Sequence, residues 1–293
     1  MKLLNVVFSN ESHQPFTSRA TGRLTVESVL YQASLLSMRR PFTTYFPVEG
    51  QWLDQVESML DSTRTITATS RTDSSPVLGM PLSLYRLILD VLNFRNWASQ
   101  QSADSLARLR TEMDFWEAFV FMDSNTASLS LEDGGSSSET TILYVLAASL
   151  FLDWITEAST SGLWAANAPP PDEVIFGSRR PGKVPWQLSQ GLEILRRPNA
   201  SSAWCHGFLG LWPILIFGYA VSSEGEMMLL RNLLRDILQR LTYGEVQRTL
   251  DELEAVWSVR KAQVEEWGER GDVDIQELFS SRMSVQEMCL SVP

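Results

Sequence analysis

Two cysteines and two histidines in 293 residues leave this chain poor in soft metal ligands. A structural zinc site draws its ligands mainly from Cys and His, and Cys205, Cys289, His13 and His206 are too few and mostly too far apart to supply one. No metal or cofactor is expected. So low a cysteine count also points to a reducing compartment rather than a disulfide framework. Basic residues are in short supply as well: 24 Lys and Arg face 35 Asp and Glu, for a net charge of −11. That sign disfavours broad contact with a phosphate backbone or an anionic membrane. Neither direct DNA binding nor membrane association is expected of this chain.

Catalytic signatures are missing too. There is no Gly-rich phosphate loop, no dinucleotide fingerprint and no Gly-x-Ser-x-Gly elbow. Cys205 and His206 are adjacent, and neighbours on a helix point about 100° apart, so they make no nucleophile–base pair. Glu252/Glu254 and Glu265/Glu266 fall on solvated helix faces, whereas a general acid/base couple needs desolvation to separate its two pKa values. No catalytic residue is assigned and the chain is not expected to be an enzyme. Its N-terminus, MKLLNVVFSNES, turns polar before its apolar run reaches the length of a secretory signal.

Period-2 strands and internal repeats are absent from the pattern, and helical periodicity is present almost throughout. Helices are expected over 24–38, 51–60, 76–97, 104–122, 142–155 and 245–267, with a weaker amphipathic one over 272–290. Residues 203–223 contain no Asp, Glu, Lys or Arg. The run is long enough to span a bilayer, but its glycines, Pro213 and unflanked ends read as buried core. A stripe follows at Leu230, Leu233, Leu234, Ile237, Leu238 and Leu241, with Arg231, Asn232, Arg235, Asp236, Gln239 and Arg240 opposite. It covers under two heptads, which favours core packing over a dimer seam.

The expected architecture is all-α, with a single large helical core over 24–291 and a peripheral segment over 1–23. Mobile loops are expected near 124–141, which is rich in Ser and Gly, and 165–187, which is rich in Pro. Arg179, Arg180 and Lys183 in the second loop read as a solvated turn, with a nuclear-localisation patch as the alternative. Trp204, Phe208, Trp212 and Phe217 are the candidate lining of an apolar ligand pocket, with ordinary core packing as the competing role.

Three segments, in order, resemble a known family. LGMPLSLYRLILDVLNF (78–94) resembles the Leu-Gly-x-Pro turn and following helix of the fungal-specific transcription factor domain. LWPILIFGYAVSSEGEMMLLRNLLRDIL (211–238) resembles its Trp-Pro-Leu-x-x-x-Gly-x-x-Ala block, which precedes a helix rich in Leu and Arg. YGEVQRTLDELEAVWSVR (243–260) looks like its closing helix, with Glu-x-Val-Trp. That family is the helical regulatory region of binuclear zinc-cluster regulators.

The resemblance implies a nuclear regulator of transcription, of the kind that governs metabolic or secondary-metabolite pathways. Its implied partners are the transcription machinery or a related regulator, as a homo- or heterodimer, and an apolar small-molecule effector. The zinc-cluster module needs six cysteines and this chain has two, so zinc-dependent DNA binding does not carry over. A regulatory region without its own DNA-binding module is expected, with a ligand-sensing helical module or a co-regulator pairing with a complete relative as the alternatives.

Overall fold

A computed structural model describes residues 19–38, 53–56, 58, 60, 80–97, 103–127, 135–160, 184–198, 200–202, 211–241 and 243–270. Among the described residues there is no strand. The named helices are α1 (Arg19–Met38), α2 (Leu82–Trp97), α3 (Ala103–Ala127), α4 (Gly135–Thr160), α5 (Trp186–Leu195), α6 (Trp212–Ala220), α7 (Glu224–Leu241) and α8 (Gly244–Arg270). The all-α class read from periodicity is what the molecule has.

The centre of the core is the crossing of α4 and α6. α4 packs against α2, α3, α5 and α6, and α6 packs in turn against α5, α7 and α8. α4 is apolar nearly all round, and from Leu143 to Leu152 every residue is buried. The window Glu139–Glu157 has the length and mean hydropathy, 1.3, of a membrane crossing, yet 78% of it is buried inside the protein. Its composition is explained by the core it occupies. All nine residues of α6 are buried, so the uncharged run does hold a core helix. Tyr144 and Phe151 of α4 meet Trp212 of α6, the first stacked at 6.1 Å and the second edge-on at 6.3 Å.

Pro213 stands in the first turn of α6, where its missing N–H costs nothing and its fixed φ suits a helix start. Ser223 and Glu226 then form a reciprocal cap on α7. The Glu226 N–H donates to Ser223 Oγ at 3.3 Å, and Glu226 Oε2 accepts from the Ser222 and Ser223 N–H groups at 3.4 Å each. Glu224 and Glu226 in the first turn and Arg240 in the last complement the helix dipole. The apolar face of α7 is consumed by the core: Leu230, Leu233, Leu234 and Ile237 are buried, with Leu238 packed beside them. Leu241 is exposed.

Two expectations differ in detail. α5 occupies 186–195, overlapping the end of the proline-rich loop and continuing where no helix was expected. α3 runs to Ala127 and α4 begins at Gly135, so both enter the stretch 124–141 read as a linker. The segment between them and residues 161–183 lie outside the described residues, as do His13, Cys205, His206, Cys289, the Arg179–Lys183 patch and the 272–290 tail.

Candidate functional site

α6 carries Trp212 and Phe217, two of the four residues that the sequence singled out, and its neighbours hold it with little clearance. Phe217 is fully buried and lies over Gly191 of α5. A Cβ added at Gly191 would come within 2.8 Å of the Phe217 ring at Cε2. On the next residue, a Cβ at Gly218 would come within 2.5 Å of Leu253 Cδ1 on α8. Both contacts are far inside ordinary van der Waals separation, so glycine is required at each by space.

α8 also closes the C-terminal end of α6. The Trp257 indole N–H donates to the Gly218 carbonyl at 2.9 Å. Arg260 donates from Nη2 to the Tyr219 carbonyl at 2.7 Å and from Nη1 to the Val221 carbonyl at 3.0 Å. The last carbonyls of a helix have no partner within it, and a cation there also favours the dipole. Tyr219 adds a hydrogen bond from its hydroxyl to Glu252 at 2.7 Å, and Glu252 accepts from Arg248 at 2.8 Å. On the other face of α8, Arg231 of α7 donates to both oxygens of Glu254 at 2.5 and 3.0 Å and lies 5.4 Å from the Trp257 ring centroid. The hydrogen bond from Arg231 is the main reason the Glu254 carboxyl is held below its ordinary range.

Below α6, towards α1 and α8, is a cavity of about 40 Å³ lined by Tyr31, Met38, Trp212, Leu215, Tyr243 and Thr249, among others. Trp212 is buried and its Nε1–H has no hydrogen-bond partner in the described structure. The Tyr31 phenol is pushed up to about 12 by burial, with Tyr243 adding to the shift. The space suits water rather than a drug-sized molecule, whose pockets run to roughly 300–1,000 Å³. Of the four residues read as an apolar pocket, Trp212 borders this cavity and Phe217 sits in the closed core against Gly191. Trp204 and Phe208 lie outside the described residues.

A larger open trough, about 430 Å³, runs between the end of α5 and α7. Leu195, Ala200 and Leu233 give it an apolar floor, and Arg197, Asn232 and Gln239 a polar rim.

One polar cluster was not anticipated. Arg110 of α3 donates to Asp114 at 2.9 Å, to Asp153 at 2.6 Å and to Glu117 at 3.1 Å. Ser149, fully buried on α4, donates to Glu117 at 2.6 Å, and Gln187 of α5 donates to Ser149 at 3.1 Å and to Asp153 at 2.6 Å. Burial raises the Asp153 carboxyl above its usual range against the pull of Arg110 and Gln187. The cluster bolts α5 to α4 and α3. It offers no nucleophile–base pair, and no group of three or more His, Cys, Asp or Glu able to hold a metal occurs among the described residues.

Residues 29–274 match the family model of the fungal specific transcription factor domain. The chain belongs to that family. The matched span holds α2 to α8 entire and the second half of α1, and all three segments of the sequence resemblance fall within it. No curated protein and no solved structure gives a significant match. Fungal specific transcription factor domains are parts of transcriptional regulators, and membership points to regulation in the nucleus rather than to enzymatic turnover. In this member the Trp-Pro block is helix α6, and the Glu-x-Val-Trp helix is the element that caps it.

Proposed function

We propose that this chain is the regulatory region of a fungal zinc-cluster-type transcription regulator, controlling a metabolic or secondary-metabolite pathway through protein partners rather than by touching DNA itself. The family match over 29–274 is the observation that carries the reading. The net charge of −11 supports the absence of phosphate contact. Two cysteines cannot supply the six ligands of a binuclear zinc cluster, so no zinc-dependent DNA contact is assigned to residues 1–293. The chemistry of the pathway and the direction of control are read by experiment. Fusing the chain to a heterologous DNA-binding domain in a reporter strain is expected to change transcription from the cognate promoter by several-fold in either direction. A reporter indifferent to the fusion under every carbon source, nitrogen source and growth phase sampled overturns the proposal.

A further inference from the structure

In the ring pairs of the core at least one ring is buried, as Trp116 is against Phe119 and as both Tyr144 and Trp212 are. Phe121 of α3 and Trp186 of α5 differ. Their rings meet at 5.5 Å, yet Phe121 is 38% exposed and Trp186 42%. Val184, just ahead of α5, is exposed as well. Single apolar residues on a surface need no explanation, but two large rings in contact in the open are the residue types that protein interfaces concentrate. What borders this pair is acidic. Glu117 stands one turn before Phe121 on the same face of α3, and Gln187, next to Trp186, holds Asp153 at 2.6 Å. In that cluster three carboxylates, Asp114, Glu117 and Asp153, surround the one guanidinium of Arg110, so negative charge is left over. Asp114 and Asp153 are exposed enough to meet a cation arriving from solvent. Burial holds the Asp153 carboxyl above its usual range even with Arg110 and Gln187 in place, so its ionised form gains from a second cation. Aromatic faces beside carboxylates suit a side chain that is apolar along its stem and positive at its tip, which is Arg or Lys.

We propose that the seam of α3 and α5 is a docking surface for a basic segment of a protein partner, with an Arg or Lys stem laid on the Phe121–Trp186 rings and its charge set among Asp114, Glu117 and Asp153. The net charge of −11 draws such a segment towards the chain, and the ring pair gives it a fixed place to stop. This surface rests on the action through protein partners proposed above, and it names the chemistry by which one of them is met.

Fluorescence anisotropy with the full chain tests it, using a fluorescein-labelled peptide of three Ala-Arg-Leu-Ala repeats and the same peptide with Glu in place of Arg. The Arg peptide is expected to bind with a dissociation constant of about 100 µM or tighter, and the Glu peptide at least about tenfold more weakly. Trp186→Ala and Phe121→Ala are each expected to weaken the Arg peptide by about fivefold or more. Trp186→Tyr, which keeps an aromatic face, is expected to retain most of the binding. Asp114→Asn is expected to weaken it, whereas Asp251→Asn, which removes the same charge from an exposed site on α8, leaves it unchanged. Equal losses from the two Asp variants, or alanine variants that bind as tightly as the wild type, trace the attraction to the diffuse field of the whole chain and overturn the docking surface. Absence of binding at about 1 mM peptide overturns it as well. Binding is read without transcription, so a missing docking surface and a reporter indifferent to the fusion are separate results.

Discussion

Gly218 shows how one residue can be fixed by a neighbour rather than by its own backbone. Alanine there gains helix propensity, about 0.5–1 kcal/mol. Against that, its Cβ meets Leu253, a fully buried side chain, at 2.5 Å from Cδ1 and 3.0 Å from Cγ. Overpacking of this kind costs about 1–3 kcal/mol, so the clash wins. Gly218→Ala is expected to be net destabilising by about 1–2 kcal/mol and to lower the thermal midpoint by several degrees. Gly225→Ala is the control: nothing lies within 4 Å of its added Cβ, and it is expected to be neutral or stabilising by up to about 0.5 kcal/mol. Equal midpoints for the two variants would contradict this packing. The sequence shows that Gly218 and Trp257 are present, but not that the Trp257 N–H finds the Gly218 carbonyl across 39 residues. Long-range capping leaves no local pattern.

At the scale of elements, legibility followed how much of the helix-forming information is local. α7 carries its stripe and its charge bias within its own 18 residues and its cap at Ser223 immediately before them, and its helix was plain. α5 is the counterexample. It follows Pro185, has Gly191 at its middle, and draws its place from Phe217 and from the bolt at Gln187. A glycine in a ten-residue helix after a proline-rich stretch reads as loop until the ring it makes room for is known. Gln187 is the fork of that bolt, donating to Ser149 and Asp153. Gln187→Ala leaves both without that donor, and a cost of about 1–3 kcal/mol is expected for so buried a site. The loss should fall on α5 first, as faster amide exchange over 186–195. An unchanged thermal midpoint together with unchanged exchange there would show the bolt to be decorative.

For the molecule as a whole, composition constrained the class and little else. The scarcity of soft ligands and the acidic balance were readable at once, and the all-α architecture followed from periodicity. The candidate site was legible only in part, because its geometry joins residues from opposite ends of the chain: the cavity beside Trp212 takes Tyr31 from α1 and Tyr243 from the turn before α8. No spacing rule connects those positions. The charge does yield a test. With −11 net charge, the chain is expected to leave duplex DNA unshifted in a gel at physiological salt up to about 10 µM, where basic proteins bind non-specifically with dissociation constants of roughly 10⁻⁴–10⁻⁶ M. Retardation at micromolar protein, lost steeply with added salt, would instead assign phosphate contacts to this chain.

The two glycine contacts on α6 face different partners: Phe217 enters the space above Gly191 of α5, and Gly218 receives Leu253 of α8. Consecutive residues on a helix are set about 100° apart around its axis, so these fittings act like two keys cut at different angles on one shaft. α6 has no freedom to rotate without dragging α5 or α8. The rotational setting of α6 is therefore fixed against α5 and α8 at once, and a substitution that turns it must be accommodated on both sides.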